Sequence, residues 1–428
     1  MHKKKHKRPW PVFIAIILAV IFGTWIGKDA TVFGISLYAT FDVLGTIFLN
    51  ALTLVVVPLV SSSIITGIAR IGKEGGFGRL GGKMFAFYFS TSLVAILIGL
   101  FFVNVINPGA SHISPPSSGT ELQELTALKE SIGHKEGSTL VNVLISIVPS
   151  NVLAAFSHGE MLGLIFFSLL FGYSISKIED GPAKALQDFF QGVFQTMIQV
   201  THVIMKVLPL GVFCLVTKVF MTTGVSSLAA VALFTITVLL ALATFMLGAM
   251  SFLLKFIARV SPIRHFKAMA PALVTAFSTS SSSATLPITI DCVEKRAGVS
   301  NKICSLVIPL GTSINMSGSA LYECVAAMYI AQAYGIDLSF STQFIIVFMA
   351  LITSVGVAGI PSASLVAIII ILKVIGLPAE GIGLFIAVDR LLDMCRTTVN
   401  VFSDSCCAVL VARSEKETGI LTTDDFEF

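Results

Sequence analysis

Charge is what this chain has least of. Asp, Glu, Lys and Arg make up 12% of its 428 residues, about half the share usual in soluble globular domains. Hydrophobic residues reach 55% and mean hydropathy is +0.91. A soluble fold with so few charges could not cover its surface, so a polytopic membrane protein is expected. The net charge of +4 is too small to imply a nucleic-acid partner. No C-x-x-C pair occurs among Cys214, Cys292, Cys304, Cys324, Cys395, Cys406 and Cys407. That excludes the common zinc and dithiol patterns and leaves small apolar packing residues. No A-x-A-like cleavage site follows the basic start MHKKKHKRPW, so the first apolar run reads as a retained helix.

A spanning helix needs about 20 apolar residues. Candidate spans are 10–27, 41–71, 85–106, 141–176, 186–220 and 227–256. Several exceed the minimum, which implies tilt, kinks or broken helices, with Pro58, Pro149 and Pro209 as kink or break points. The stretch 107–138 is polar and reads as a surface loop. Basic residues cluster at Lys3–Arg8, after the second span (Arg70, Lys73, Arg79, Lys83), after the fourth (Lys177, Lys184), after the sixth (Lys255, Arg259, Arg264, Lys267), and at Arg413 and Lys416. The positive-inside rule then places both termini in the cytoplasm of a cell (inner) membrane protein.

The C-terminal third changes character. Two apolar segments are interrupted: 266–290 by a serine run at 278–283, and 344–375 by Gly356-Val357-Ala358-Gly359-Ile360-Pro361-Ser362. Each half is too short to span. Two half-helices meeting at a non-helical tip, a re-entrant hairpin, solves this, because unwound backbone at membrane depth must be buried in protein or line a polar cavity. Each hairpin precedes a helix carrying polar residues mid-membrane. Hairpin–helix, hairpin–helix, entered from opposite sides, is an inverted repeat of the kind that holds a transporter's binding site. The expected division is a basic tail at 1–8, six helices over 9–256, hairpin 1 at 262–297, helix 7 at 300–334, hairpin 2 at 338–377, helix 8 at 380–412 and a tail at 413–428.

Asp389, Asp393, Arg396, Asn400 and Asp404 are spaced 4, 3, 4 and 4, which puts them within roughly an 80° arc of one helix face. Each charge at a helix centre costs about 2.5–3.5 kcal/mol on insertion scales, so the set needs compensation. An internal Asp393–Arg396 ion pair is one answer. A site in which Arg396 takes a carboxylate and an Asp takes an ammonium is the stronger one, since the planar guanidinium grips a carboxylate with two donors. The run from Thr279 to Thr285 offers hydroxyls and amide N–H groups at a half-helix terminus, which also suits a carboxylate. Between Pro309 and Ser319 a helix should unwind, and its freed carbonyls with Asn315 could coordinate Na+. Glu323, alone in apolar sequence, is a candidate proton carrier.

Four motifs carry a family resemblance: Ser281-Ser282-Ser283-Ala284-Thr285-Leu286-Pro287, Asn315-Met316-Ser317-Gly318-Ser319-Ala320-Leu321-Tyr322-Glu323, Ala358-Gly359-Ile360-Pro361, and Asp393-Met394-Cys395-Arg396-Thr397-Thr398-Val399-Asn400-Val401. The chain resembles the glutamate/aspartate transporter family of dicarboxylate/amino acid:cation symporters over nearly its whole length. That resemblance implies an all-α polytopic membrane protein with eight transmembrane helices, two re-entrant hairpins and inverted repeats. It implies a homotrimer in the lipid bilayer, whose mobile transport domains move elevator-fashion against a static scaffold. By residue-wise carry-over Arg396 holds the substrate's side-chain carboxylate and Asp393 its ammonium. Ser319, Thr397 and Asn400 complete the site, with Ser282 and Ser283 on the first tip and Ile360 on the second. One sodium site maps to Gly311, Asn315, Asn400 and Asp404, another to Ser313, Ser354, Val355 and Val357, and a third to Tyr88, Thr91, Ser92, Asn315 and Ser317.

The chain departs from the family pattern at Ser317, where Asp is usual, at Ser319, where Thr is usual, and at Ser364, where Gly is usual. Losing the carboxylate at 317 weakens the third sodium site. The expectation is a secondary active symporter, not an enzyme, that takes up aspartate or glutamate with Na+ and a proton and needs no cofactor. The alternative is a C4-dicarboxylate or neutral amino acid:cation symporter of the same fold. An intramembrane protease is disfavoured because Asp389 and Asp393 share one helix and no G-x-G-D occurs.

Overall fold

The computed structural model describes residues 10–26, 30–32, 35–73, 79–110, 145, 148–158, 161–204, 206–223, 226–356 and 363–422. Helices dominate them. The order is α1 (Trp10–Trp25), β1 (Thr31–Val32), β2 (Ile35–Ser36), α2 (Leu37–Lys73), α3 (Arg79–Ile106), α4 (Val152–His158), α5 (Met161–Ile175), α6 (Asp180–Ile204), α7 (Leu208–Thr223) and α8 (Ser226–Ala243). The last of these runs on through π-helical turns at Thr244–Met250 and Leu253–Ile257. Then come α9 (Pro262–Thr279), α10 (Ser282–Asp291), α11 (Asn301–Ile314), α12 (Ser317–Ala333), α13 (Phe340–Gly356), α14 (Ala363–Ile375) and α15 (Ile386–Ser414). Among the described residues the antiparallel ladder of Thr31 with Ser36 and Val32 with Ile35 is the only departure from an all-helical chain.

The helices are apolar as the composition requires. Leu80–Ile106, Val231–Ile257 and Asn301–Ala333 are long and apolar enough to cross a membrane, and shorter apolar helices accompany them. The run 186–220, expected as one span, is two helices, α6 and α7. Pro209 stands at the second position of α7, where a missing N–H costs nothing. The run 141–176 holds α4 and α5, and Asn151 caps α4 by accepting the Ala154 N–H at 3.1 Å. Pro58 does not end α2; the Ser61 and Ser62 hydroxyls bond back to the carbonyls of Val57 and Pro58 at 2.7 and 2.5 Å. The basic tail at 1–8, most of the polar loop and the second hairpin's tip at 357–362 lie outside the described residues.

In the C-terminal third the interruptions fall where the polar runs are. Ser280, with φ 50°, ends α9 in the left-handed region, and Ser281 caps α10 by accepting the Ala284 N–H at 3.2 Å. The two helices pack together. Asn315 and Met316 are non-helical (φ −102° and −99°) and separate α11 from α12. Helix α12 is buried on every side from Ser317 to Ala331, the mark of a core helix. It packs on α3, α13, α14 and α15.

The packing falls into two groups. Helices α1, α2, α5, α6 and α7 pack chiefly on one another, and α3 with α8–α15 form the other group around α12 and α15. A narrower seam joins them, chiefly through the 3-10 turn Ala379–Leu384 against α7 and through α13 and α14 against α2.

Helices α1 and α7 meet at Gly23. A Cβ there would stand 2.6 Å from the Phe220 Cβ and 2.9 Å from the Thr217 carbonyl oxygen. Overpacking of this kind costs about 1–3 kcal/mol. Gly23→Val should therefore lower the thermal unfolding temperature in detergent, whereas Gly67→Ala, with nothing within 4 Å of the new Cβ, should not.

Candidate functional site

Arg396 is the largest fully buried side chain. Helix α15 places Asp389 and Asp393 seven and three residues before it, on the same face. Its Nη1 donates to Asp389 Oδ1 at 3.1 Å and its Nη2 to Asp393 Oδ1 at 2.9 Å. The Tyr322 ring of α12 lies under the guanidinium, 3.8 Å from its centroid, and the Tyr322 hydroxyl donates to Asp389 Oδ1 at 3.0 Å. Arg390 stands 3.6 Å from the other oxygen of Asp393. The four charges of Asp389, Asp393, Arg390 and Arg396 sum to zero, which is how so many ions survive burial. Among the described residues Arg396 Nε has no hydrogen-bond partner.

One turn along α15 the chain crosses α12 at close range. Asn400 Oδ1 accepts the backbone N–H groups of Gly318 and Ser319 at 2.8 and 3.4 Å, and its Nδ2 donates to the Ser319 hydroxyl at 3.1 Å. These are the orphan donors of the first turn of α12, so Asn400 caps that helix from another element. Gly318 is required here: a Cβ would meet the Arg396 carbonyl oxygen at 3.0 Å and Asn400 Oδ1 at 3.1 Å. Thr397 is buried beside them.

A second polar cluster sits at the break between α11 and α12. Asn315 Nδ2 donates to Asp404 Oδ1 at 2.9 Å and to the Ser403 hydroxyl at 3.2 Å. The Ser317 hydroxyl donates to Asn315 Oδ1 at 2.9 Å, and the Ser92 hydroxyl reaches that oxygen at 3.5 Å. Ser92 and Ser317 are 3.1 Å apart, and Ser317 and Ser403 3.4 Å. Thr91, one residue before Ser92, bonds its own helix at the Phe87 carbonyl, 2.8 Å away, and Tyr88 donates to the Val307 carbonyl at 2.6 Å. Asp404 stands against Gly311, where a Cβ would fall 2.5 Å from Asp404 Oδ1 and 2.9 Å from the Tyr88 hydroxyl. The missing side chain lets the carboxylate pack directly on the Gly311 backbone. Of the first sodium set, Gly311, Asn315 and Asp404 meet here, with Asn315 turning its amide nitrogen to the carboxylate, while Asn400 lies at the first turn of α12. Around Ser317 the partners are hydroxyls and one amide, without a carboxylate of its own.

Glu323 is buried on α12 and accepts a hydrogen bond from Thr353 of α13 at 2.9 Å, with Ser364 of α14 also interacting with its carboxyl. Ser354 is buried and bonds the Leu351 carbonyl at 2.8 Å. At the first tip Ser282 is buried, Ser283 is exposed, and the buried Ser280 hydroxyl has no hydrogen-bond partner among the described residues. Ile360 and Val357 lie outside the described residues, as do the side chains of Ser313 and Val355.

The structure adds Tyr322, Ser403 and Thr353 to the side chains singled out from sequence and gives Asp389 its partners. Asp389 lies on the arc already noted, and Tyr322 follows Ser319 at helical spacing, so both carried a signal. Ser403 and Thr353 carried none: each matters only because a particular helix face meets another.

The comparisons agree on one family. Residues 9–414 match the model of the sodium:dicarboxylate symporter family. The chain is 35% identical over 406 residues to the proton/sodium-glutamate symport protein of Bacillus caldotenax, covering 95% of this chain and 94% of that one. It is 32% identical over 415 residues to the proton/glutamate-aspartate symporter of Escherichia coli (strain K12), covering 97% and 94%. To the C4-dicarboxylate transport protein of Brucella anthropi it is 30% identical over 414 residues, covering 95% and 89%. With its buried Arg–Asp cluster, its broken core helix and a match along almost its entire length, the chain belongs to the sodium:dicarboxylate symporter family.

Proposed function

We propose that the protein is a secondary active symporter that takes up aspartate or glutamate together with Na+ and a proton. The observation that carries this reading is Arg396, buried beside Asp389 and Asp393 on one face of the C-terminal helix α15. An amino acid with a second carboxylate matches that arrangement charge for charge. Its ammonium takes Asp393 from Arg396, and its side-chain carboxylate takes the guanidinium face that Asp393 gives up. Asp389 and Tyr322 keep their hold on Arg396 throughout, so no ion is left bare in a low-dielectric site. Asn400, Thr397, Ser319 and the first tip at Ser282 and Ser283 close around the bound molecule, with Ile360 of the second tip.

The sodium that drives uptake travels as cargo. Asp404, Asn315, Asn400 and the Gly311 carbonyl hold one ion, and the carbonyls near Ser313, Ser354, Val355 and Val357 hold another. Glu323 carries the proton, its carboxyl lying one helical turn from Ser319. The two packing groups support a mobile transport body, α3 with α8–α15, sliding against a scaffold. The pairs α9–α10 and α13–α14 act as re-entrant hairpins among eight spans. We further propose a homotrimer in the inner membrane with both termini in the cytoplasm, on the strength of the basic clusters.

The 30% identity to a C4-dicarboxylate transport protein favours a second reading, a dicarboxylate without an amine. Asp393 weighs against it, because such a ligand would take Arg396 from that carboxylate and bring no ammonium in exchange. Uptake of labelled aspartate into proteoliposomes, with glutamate and succinate as competitors, separates the two. Succinate outcompeting aspartate would overturn the amino acid reading.

Arg396→Cys should abolish uptake of acidic substrates. Losing a charge-assisted contact while burying an unpaired carboxylate costs on the order of 3–5 kcal/mol, over a hundredfold in affinity. Unchanged aspartate affinity in that variant would refute the assignment. In Glu323→Gln, aspartate uptake should stop responding to an inward acid gradient while still responding to sodium; a pH response equal to that of the native protein would exclude Glu323 as carrier. Ser317→Asp should lower the sodium concentration giving half-maximal uptake, since it returns a carboxylate to Ser92, Asn315 and Ser403.

A further inference from the structure

The chain does not leave the fold at the end of α15. Lys416 (φ 66°) turns it in the left-handed region, and residues 415–422 run back to meet α3, α9, α11 and the connection at Ala297. Lys83, at the start of α3, donates to the Ser414 carbonyl at 2.9 Å and pairs with Glu415 at 2.5 Å. Arg413 donates to the Glu417 carbonyl at 3.2 Å. Leu421 donates its N–H to the Ala297 carbonyl at 3.0 Å and accepts from Arg264, near the start of α9, at 3.3 Å. Ile420 and Leu421 are buried. Leu421 has φ 54°, a left-handed conformation that a leucine keeps only where its surroundings impose it.

The most specific contact in this segment is Glu417. Ser300 is the residue before α11, and its side chain makes no capping bond to its own helix. Its backbone N–H donates to Glu417 Oε2 at 3.1 Å, and its hydroxyl donates to Glu417 Oε1. The carboxylate therefore stands at the N-terminus of α11, where a negative charge meets orphan N–H groups and the positive end of the helix dipole. Pro309 lacks the N–H that would bond back inside this helix, so α11 has one internal bond fewer. Its other end carries Gly311 and Asn315, in contact with Asp404.

We propose that residues 415–422 form a strap over the base of α9–α11, and that Glu417 is a positioning residue: through Ser300 it holds α11 in place along its axis and so sets how tightly Gly311, Asn315 and Asp404 hold sodium. The sodium part rests on the symporter reading above; the strap itself rests only on the contacts described.

The test uses the full chain with Glu417→Ala, Glu417→Gln and Glu417→Asp. Hydrogen–deuterium exchange of the amides at 298–305 reads the strap. Sodium-dependent protection of the amides at 311–316 in detergent reads the ion affinity without transport. In Glu417→Ala both should change, exchange at 298–305 and the half-protecting sodium concentration each rising roughly tenfold, as expected for one lost charge-assisted contact. Exchange across 231–243 should stay as in the native chain. Glu417→Gln should fall between, and Glu417→Asp should recover most of the native sodium response. Unchanged exchange at 298–305 in Glu417→Ala overturns the strap. Faster exchange there with native sodium protection overturns the positioning role and leaves a tether. A native protein whose 311–316 amides ignore sodium overturns the sodium-coupled reading itself, while exchange at 298–305 still decides the strap.

Discussion

A guanidinium buried out of reach of water constrains everything near it. Arg396 cannot shed its proton, so the fold has to supply counter-charge on the spot. Two carboxylates on its own helix do so, and the Tyr322 ring covers the remaining face. This ties α15 to α12, and α12 is the helix around which that half of the molecule packs. In the proposed binding step only Asp393 changes partner, while Asp389 keeps its hold on Arg396. An ion pair inside the protein can be traded for ion pairs with a zwitterionic ligand at little net desolvation cost, whereas a bare cation would trap any anion it met.

Close approach is the second constraint. Glycine at 318 lets α12 and α15 come near enough for Asn400 to cap the first turn of α12 from outside. Glycine at 311 lets Asp404 reach the last turn of α11. Both glycines flank the break at Asn315 and Met316, where the helix gives up its regular bonds. Breaking a helix in the core exposes backbone polar groups, and those groups are stable there only because side chains from α15 and α3 replace water. The break, the glycines and the polar face of α15 therefore belong to one design.

The cluster around Ser317 differs in kind from that around Asp404. Four polar side chains, Ser92, Asn315, Ser317 and Ser403, satisfy one another through hydrogen bonds without a charge at 317. A cation taken into that space would lose hydration against neutral oxygens only, and the network it displaced would go unsatisfied. The carboxylates nearby are Asp404, which accepts from Asn315, and Glu323 further along α12, which accepts from Thr353.

Much of this was legible in the residues alone. Apolar composition, the interrupted segments, the break before Ser317 and the 4-3-4-4 arc of Asp389 to Asp404 are local features. Helical periodicity and the cost of bare charge in an apolar solvent turn them directly into structure. Pro209 marked a break, though not that it would split one long run into α6 and α7. What only the tertiary structure decided was which faces meet. That Tyr322 lies under Arg396, that Thr353 answers Glu323, that Ser403 joins Ser317, and that Glu417 caps a helix beginning 116 residues earlier (417 − 301) depend on the packing of separate helices. A single sequence orders its residues along one line and contains no record of those pairings; they arise when close packing selects one mutual arrangement of helices from the many that local periodicity allows.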